Sequence, residues 1–414
     1  MKITQIETIR VKERPQIIWV QVHTTDGIVG LGETWYAPSV IESAIHDWFG
    51  PLLIGRDPFE IERHWEAMFR LSDHAGYGGA EMRAISSLDM ALWDIKGQSV
   101  GLPIYELLGG AVRKKIPVYA TYMPLVGEGG GEQDVKTAGE AAKELLADGI
   151  TAMKGGPTIG LFQASDGQSL SPKELDMALQ PIRDIREAVG MDMQIANDGH
   201  GKWTLPVAIR IAQAMEPYDI MWQEDLMPLM NPDALLRLQN ATKTPICISE
   251  RLLTRWQLRQ FIENGSARIV MPDLIWTGGI SETHKIAILA SAHQVPFAPH
   301  DATGPVNIFA CAQICMSSPN AMMQEHVPSY YKGWYNDFVD PNLDIRDGFL
   351  HAPQNPGIGT RLKKDIRNRS DVSIKVSNEP GTSLVDTGYG SHFARTPKNQ
   401  AWVDELERQR GSNL

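Results

Sequence analysis

Three acidic residues close three successive short apolar runs: Asp198 ends MQIAND, Glu224 ends DIMWQE and Glu250 ends PICISE, at an even spacing of 26 residues. That interval is the repeat of a strand followed by a helix in a parallel barrel. If each run is a barrel strand, the three side chains leave the sheet at its C-terminal rim and converge on one point. Three negative charges brought together require a cation. Hard oxygen donors, with no cysteine or histidine among them, favour Mg²⁺ over zinc. A single acid after a strand could equally cap the next helix. Three in one register point to a shared task.

The rhythm starts at IPVYATY, near residue 116, and gives strands over 116–122, 150–155, 193–198, 219–224, 245–250, 268–273, 295–299 and 321–325. Eight strands alternating with helical stretches predict an α/β barrel of the TIM type. The first hundred residues lack this rhythm. There IIWVQVHTTDGIVGLGE reads as two strand runs about the turn pair Asp26-Gly27, and Ala84, Ile85, Leu88, Ala91, Leu92 and Ile95 share one apolar helix face. The expected organisation is an α+β domain over 1–112, the barrel over 113–345, and a segment over 346–414 that returns to the first domain and ends in a polar tail. That tail, with SNEPGTS and AWVDELERQR, reads as a mobile or interaction segment. The loop GEGGGEQD lacks the Gly-Lys-Ser/Thr ending of a phosphate cradle and reads as a flexible connection.

Composition removes several classes of function. The 414 residues are 43% hydrophobic and 21% charged, enough for a sizeable core, and the net charge of −11 comes without any basic stretch. Nucleic acid and anionic membrane are therefore not expected partners. No apolar run approaches a membrane span, and the start MKITQIETIRVKE has no secretory core, so the cytoplasm is the expected compartment. Cys247, Cys311 and Cys315 do not make a disulfide framework and read as buried thiols.

A cation alone moves no proton, so the acid-base groups at the same rim matter. Lys154 ends the second strand in AMKGG, His200 follows Asp198 in NDGHGKW, Asp273 ends the sixth strand in RIVMPD and His300 ends the seventh in PFAPHD. Each has a plainer reading: Lys154 as a solvated lysine, Asp273 as a helix cap, the histidines as structural residues. Asp273 and His300, on adjacent strands, are in reach of each other, which would fix the imidazole tautomer and raise its basicity. Glu325 ends the eighth strand in AMMQEH, where it either binds a substrate oxygen or pairs with a lysine.

On these residues, together with GIVGLGE, SSLDMALWDIKGQSVGLPIYELLGG and MPDLIWTGGISE, the chain resembles the enolase superfamily, in the mandelate racemase subgroup, over about residues 1–363. The resemblance implies an α+β capping domain on a modified (β/α)7β TIM barrel, with Mg²⁺ on Asp198, Glu224 and Glu250. Racemases of this subgroup commonly carry a Lys-x-Lys pair on the second strand. This chain reads Lys154-Gly155-Gly156, and Gly156 moves no proton. The Asp198-x-His200 motif instead resembles acid-sugar dehydratases acting on galactonate and mannonate. The reading is a dehydratase: His300, oriented by Asp273, takes the C2 proton of an R-configured sugar acid. Lys154 and Glu325 stabilise the enediolate, and His200 protonates the departing C3 hydroxyl, giving a 2-keto-3-deoxy acid. A racemase or epimerase of an α-hydroxy acid on the same scaffold is the alternative, followed by a member without significant dehydratase activity. Trp35, Tyr36, His74 and Arg83 of the first domain, with Trp276 of the barrel, are candidate substrate contacts, as are the loop Lys12–Gln16, Tyr77, Trp203 and the stretch YYKGWY. The resemblance also implies a homo-oligomer.

Overall fold

The structure is a computed structural model that describes residues 1–121 and 137–380. The GEGGGEQD loop and the tail beyond residue 380 lie outside the described residues. Contacts divide the chain into two units, Met1–Lys96 with the chain from Ser370 onward, and Gly97–Arg369.

In the first unit, β1 (Ile3–Val11), β2 (Ile17–Thr24) and β3 (Val29–Trp35) form the expected antiparallel meander, with the strand Val372–Ser377 added beside β1. The helix Ala80–Val100 buries Ala84, Ile85, Leu88, Ala91, Leu92 and Ile95 completely, as its 3.6-residue periodicity predicts. Gly30 and Gly32 explain how it approaches the sheet. Both lie on one face of β3, and a Cβ on either would overlap the helix carbonyls of Ala91 and Ser87. The buried Asp94 carboxylate accepts from the Leu31 N–H at 2.8 Å, satisfying a strand donor from the helix side.

The second unit contains the barrel. Six strands pair in parallel in chain order: β4 (Lys115–Thr121), β5 (Ala152–Gly155), β6 (Gln194–Asp198), β7 (Ile220–Glu224), β8 (Ile246–Ile248) and β9 (Ile269–Val270). Parallel bridges then run from Val270 to Phe297 and from Phe297 to Ala321, and β10 (Gln324–His326) pairs with β4, closing the ring. The stretch 295–299, expected as a full strand, is reduced to one bridged residue because Pro296 and Pro299 flank Phe297 without backbone donors. The ladder survives through the remaining groups: Ala298 N–H donates to Val270 O at 3.0 Å and Met322 N–H to Phe297 O at 2.8 Å.

The division by contacts falls at Lys96 and at Arg369. Residues after Lys96 bond within the barrel unit, where Tyr105 N–H donates to the Gln313 side chain at 2.9 Å and Val112 N–H to Met316 O at 2.9 Å. The short strand Phe349–His351 likewise pairs with β4. Among the described residues, no helix is long and apolar enough to cross a membrane.

The barrel centre is filled by Tyr119, Ala152, Ala196, Trp222, Cys247, Ile269, Met271, Ala298 and Met323. Side chains on a strand alternate, so the next inward position lies two residues on. Those positions are Thr121, Lys154, Asp198, Glu224, Ser249, Asp273, His300 and Glu325. The apolar layer thus sets the height and direction of the polar layer above it. Glu250 departs from the pattern by one residue and stands in the turn after β8.

Candidate active site

Lys154 is the hub of the polar layer. Its Nζ lies 2.9 Å from Glu224 and 2.9 Å from Glu325, and all three side chains are buried. Burial disfavours the ammonium, yet Glu224, Glu325 and Asp198 outweigh it and hold the group well above the usual lysine range. The solvated reading of this lysine is thereby corrected, and the lysine partner foreseen for Glu325 is Lys154 itself. Glu325 also accepts from the Thr121 hydroxyl and, at 2.9 Å, from the Asp301 N–H. Burial raises its pKa, but Lys154, His300 and these donors bring it down to about 2. Glu224 is pushed up to about 7, by burial first and then by Asp198, Glu325 and Glu250, against the pull of Lys154.

Asp198 and Glu224 face each other in register across β6 and β7. Asp198 Oδ2 pairs with His200 Nε2 at 2.9 Å, and its Oδ1 accepts from the His200 N–H at 2.8 Å. Burial opposes its charge, but His200 holds it at about 2. His200 in turn is raised, Asp198 overcoming the cost of burial. Its backbone takes φ 51°, and Asp225, the residue after Glu224, takes φ 39°. Left-handed backbone at a non-glycine residue costs about 1–2 kcal/mol and is a frequent mark of a working site. Glu250 accepts from the Ser249 hydroxyl and lies 3.8 Å from Arg251. Burial is the largest influence on it and raises its pKa, as does Asp198, but His300, Arg251 and the Ser249 hydroxyl together hold it below the usual carboxylate range.

His300 Nδ1 meets Asp273 Oδ2 at 2.7 Å. The other oxygen of Asp273 accepts from Ile275 N–H at 2.9 Å, so this residue is both the helix cap and the histidine's partner. Burial lowers the imidazole pKa, but Glu325, Glu250 and Asp273 raise it to about 10. Trp276 is almost fully buried with its ring 5.4 Å from the imidazole, a flat wall beside it.

The remaining candidates sort by unit. Trp35, Tyr36 and Arg83 cluster in the first unit, Arg83 Nη1 donating to Trp35 O at 2.9 Å with its guanidinium 5.7 Å from the Tyr36 ring centre. The side chain of His74 lies outside the described residues, and Tyr77 stacks on Phe69. Trp203 is fully buried, and Trp334 and Tyr335 of YYKGWY pack on each other with ring centres 4.7 Å apart. Several supports escaped the sequence reading: Thr121, Trp222, whose Nε1–H donates to Glu224 at 3.2 Å, and Asp225, bound by Ser249 N–H at 3.0 Å. Thr121 and Trp222 lie two residues from Tyr119 and Glu224, so the strand period alone reaches them.

Among the described residues, no three His, Cys, Asp or Glu side chains are gathered into a ready ligand cage. Asp198 is turned to His200, Glu224 to Lys154 and Trp222, and Glu250 to Ser249. The donor set nevertheless suits a hard divalent cation. Three buried carboxylates, Asp198, Glu224 and Glu325, and the partly buried Glu250 crowd one rim, and Glu224 is raised by burial first and then by the charge of the other three.

Two family models match the chain: a mandelate racemase / muconate lactonizing enzyme N-terminal domain over residues 4–109 and an enolase C-terminal domain-like region over residues 137–366. A D-galactonate dehydratase of Variovorax paradoxus is 33% identical, the match covering 88% of this chain and 93% of that protein. A D-xylonate dehydratase of Haloferax volcanii is 31% identical over 88% and 87%. Among solved structures, an enolase of the mandelate racemase subgroup from Agrobacterium tumefaciens superposes with a TM-score of 0.85 at 39% identity, over 91% of this chain and 99% of that one.

Proposed function

The chain belongs to the mandelate racemase / muconate lactonizing enzyme family of enolase-like proteins and is a hydro-lyase, and we propose that it dehydrates a sugar acid to a 2-keto-3-deoxy acid. The observation that carries this reading is one oriented base, His300 on Asp273, sharing a rim with the Asp198-x-His200 pair, while the second-lysine position is Gly156.

In the neutral ring, Nδ1 of His300 keeps its proton toward the Asp273 carboxylate, and Nε2, once it has released the proton that the surrounding carboxylates favour, takes the C2 hydrogen. The α-proton of a carboxylate is too weakly acidic for imidazole alone, so the enediolate needs positive charge and hydrogen bonds nearby. Lys154 supplies a permanent cation, and Glu325, ionised beside it, fixes the ammonium in place rather than donating to the enediolate. Mg²⁺ on Asp198, Glu224 and Glu250 would supply Lewis-acid stabilisation of the substrate carboxylate. Hydroxide leaves poorly, and a histidinium lets it depart as water. Asp198 raises the His200 pKa against the cost of burial, which favours that form, and the His200 Nδ1 makes no hydrogen bond among the described residues. Loss of water from C3 leaves an enol that tautomerises to the 2-keto acid.

The racemase alternative needs a second base. Lys154 is fixed as a cation between two glutamates, and the space beside Gly156 is filled by Ile159, whose Cδ1 a Cβ at 156 would overlap. Neither residue supports that role, which leaves His200, paired with Asp198 at 2.9 Å, as the second base of that alternative. The test is a panel of hexonic, pentonic and aldaric acids with Mg²⁺, scored for 2-keto acid formation. Deuterium uptake at C2 without loss of water would instead reveal an epimerase, and no reaction with any acid would end the dehydratase reading. A symmetric assembly of like chains is part of the proposal and is read by sedimentation.

A further inference from the structure

We propose that Asn307, on the helix Pro305–Ser317, is a positioning residue that locks the Asp273–His300 pair and the Asp301 turn into one rigid piece. The inference deepens the dehydratase reading and rests on His300 being its base. Asn307 is fully buried, and its Nδ2 lies 3.2 Å from Asp273 Oδ1, 3.2 Å from Asp301 Oδ1 and 3.1 Å from Thr303 Oγ1. The three acceptors on one side assign the NH₂ to it, and the carbonyl is left toward Cys311 Sγ, which is 3.7 Å from Oδ1 and 3.8 Å from His300 O.

Asp273 holds His300 through Oδ2, and its Oδ1 takes the Ile275 N–H and the Asn307 amide. With both oxygens engaged, the carboxylate plane is fixed, and with it the imidazole. On the other side, the backbone N–H of Asp301 donates to Glu325 at 2.9 Å. One neutral amide thus bridges the groups that orient the proton acceptor and the glutamate beside Lys154. Neutrality matters here. A lysine or arginine at this position would cancel the Asp273 charge that sustains the imidazole's basicity, whereas an amide fixes the carboxylate and leaves that charge in place.

The experiment compares wild type with Asn307→Leu and Asn307→Ala, following kcat, KM, the pH dependence of C2 exchange and the nitrogen NMR titration of His300. The expected result is a fall in kcat of about 10–100-fold with KM nearly unchanged, the usual cost of removing an orienting partner. The rising limb of the pH profile and the His300 titration should both move to lower pH, because a loosened Asp273 supports the imidazolium less. A residue that only holds the fold would lower the unfolding midpoint without moving either. Folded variants with wild-type kcat and an unmoved His300 titration would overturn the inference. If wild type itself turns over no sugar acid, the dehydratase reading fails, while the NMR titration still decides the role of Asn307. A variant that does not fold is replaced by Asn307→Ser, which keeps a hydroxyl donor and should retain part of the effect.

Discussion

Lys154 stands 2.9 Å from Glu224, and the lysine's ammonium is what allows a buried glutamate to remain at this rim. Removing one partner of a buried ion pair leaves the other charge uncompensated, at a cost of about 3–5 kcal/mol. Lys154→Met should therefore lower stability by about that amount in urea unfolding and abolish turnover. A variant as stable as wild type would mean the carboxylates share protons without needing the lysine.

His300→Asn keeps a side chain that can still meet Asp273 but removes the basic nitrogen. C2 hydrogen exchange in heavy water should fall by about 10²–10⁴-fold, the usual contribution of a general base. Exchange at the wild-type rate would remove His300 from that role.

His200→Asn separates the two proton transfers. Exchange at C2 should continue while water loss drops by about 10²–10⁴-fold, because the acid for the leaving hydroxyl is gone but the base is not. Loss of both in parallel would assign His200 to binding or to shaping Asp198 instead.

Magnesium should raise the thermal midpoint of the wild-type chain and fail to do so for Asp198→Asn or Glu250→Gln. Saturation to a hundredfold over the dissociation constant is worth about 2.7 kcal/mol. An equal response in all three proteins would place the ion elsewhere.

Acid should weaken the fold through His326. Burial brings this imidazole down to about 4, and its Nδ1–H donates to Tyr119 O at 2.9 Å. The unfolded chain binds a proton below about pH 6.5 while the folded chain does not until about pH 4, so stability is complete above that window and declines as pH falls through it. The contribution amounts to roughly 3 kcal/mol at the acid end. Urea midpoints at pH 7 and pH 5 measure it, and His326→Gln should flatten the difference. An unchanged slope in that variant would assign the acid sensitivity to other groups, His46 first, which is also brought down to about 4, by burial and then by Lys375.

Much of this site was legible because a parallel barrel repeats on a fixed interval. Asp198, Glu224, Lys154, Asp273, His300 and Glu325 were reached from strand ends alone, and the geometry gathers them. What stayed hidden depends on contacts between distant residues. Asn307 sits in a helix whose sequence, PVNIFACAQICMS, reads as largely apolar, and nothing local says that its amide meets Asp273. The loss of the seventh strand was readable in principle, since Pro296 and Pro299 bracket Phe297. The boundary at Lys96 was not, because the helix Ala80–Val100 runs through it without a break in periodicity.

The side chains assigned to chemistry stand one pleat beyond the apolar residues that fill the barrel, from Ala152 to Lys154 and from Trp222 to Glu224. Packing and reactivity thus occupy separate storeys of the same strands. The two layers differ in what sets them: the lower one answers to shape, and the upper one to the balance of charge around Lys154. A single inserted residue turns the acid outward into the helical shell and brings its neighbour in.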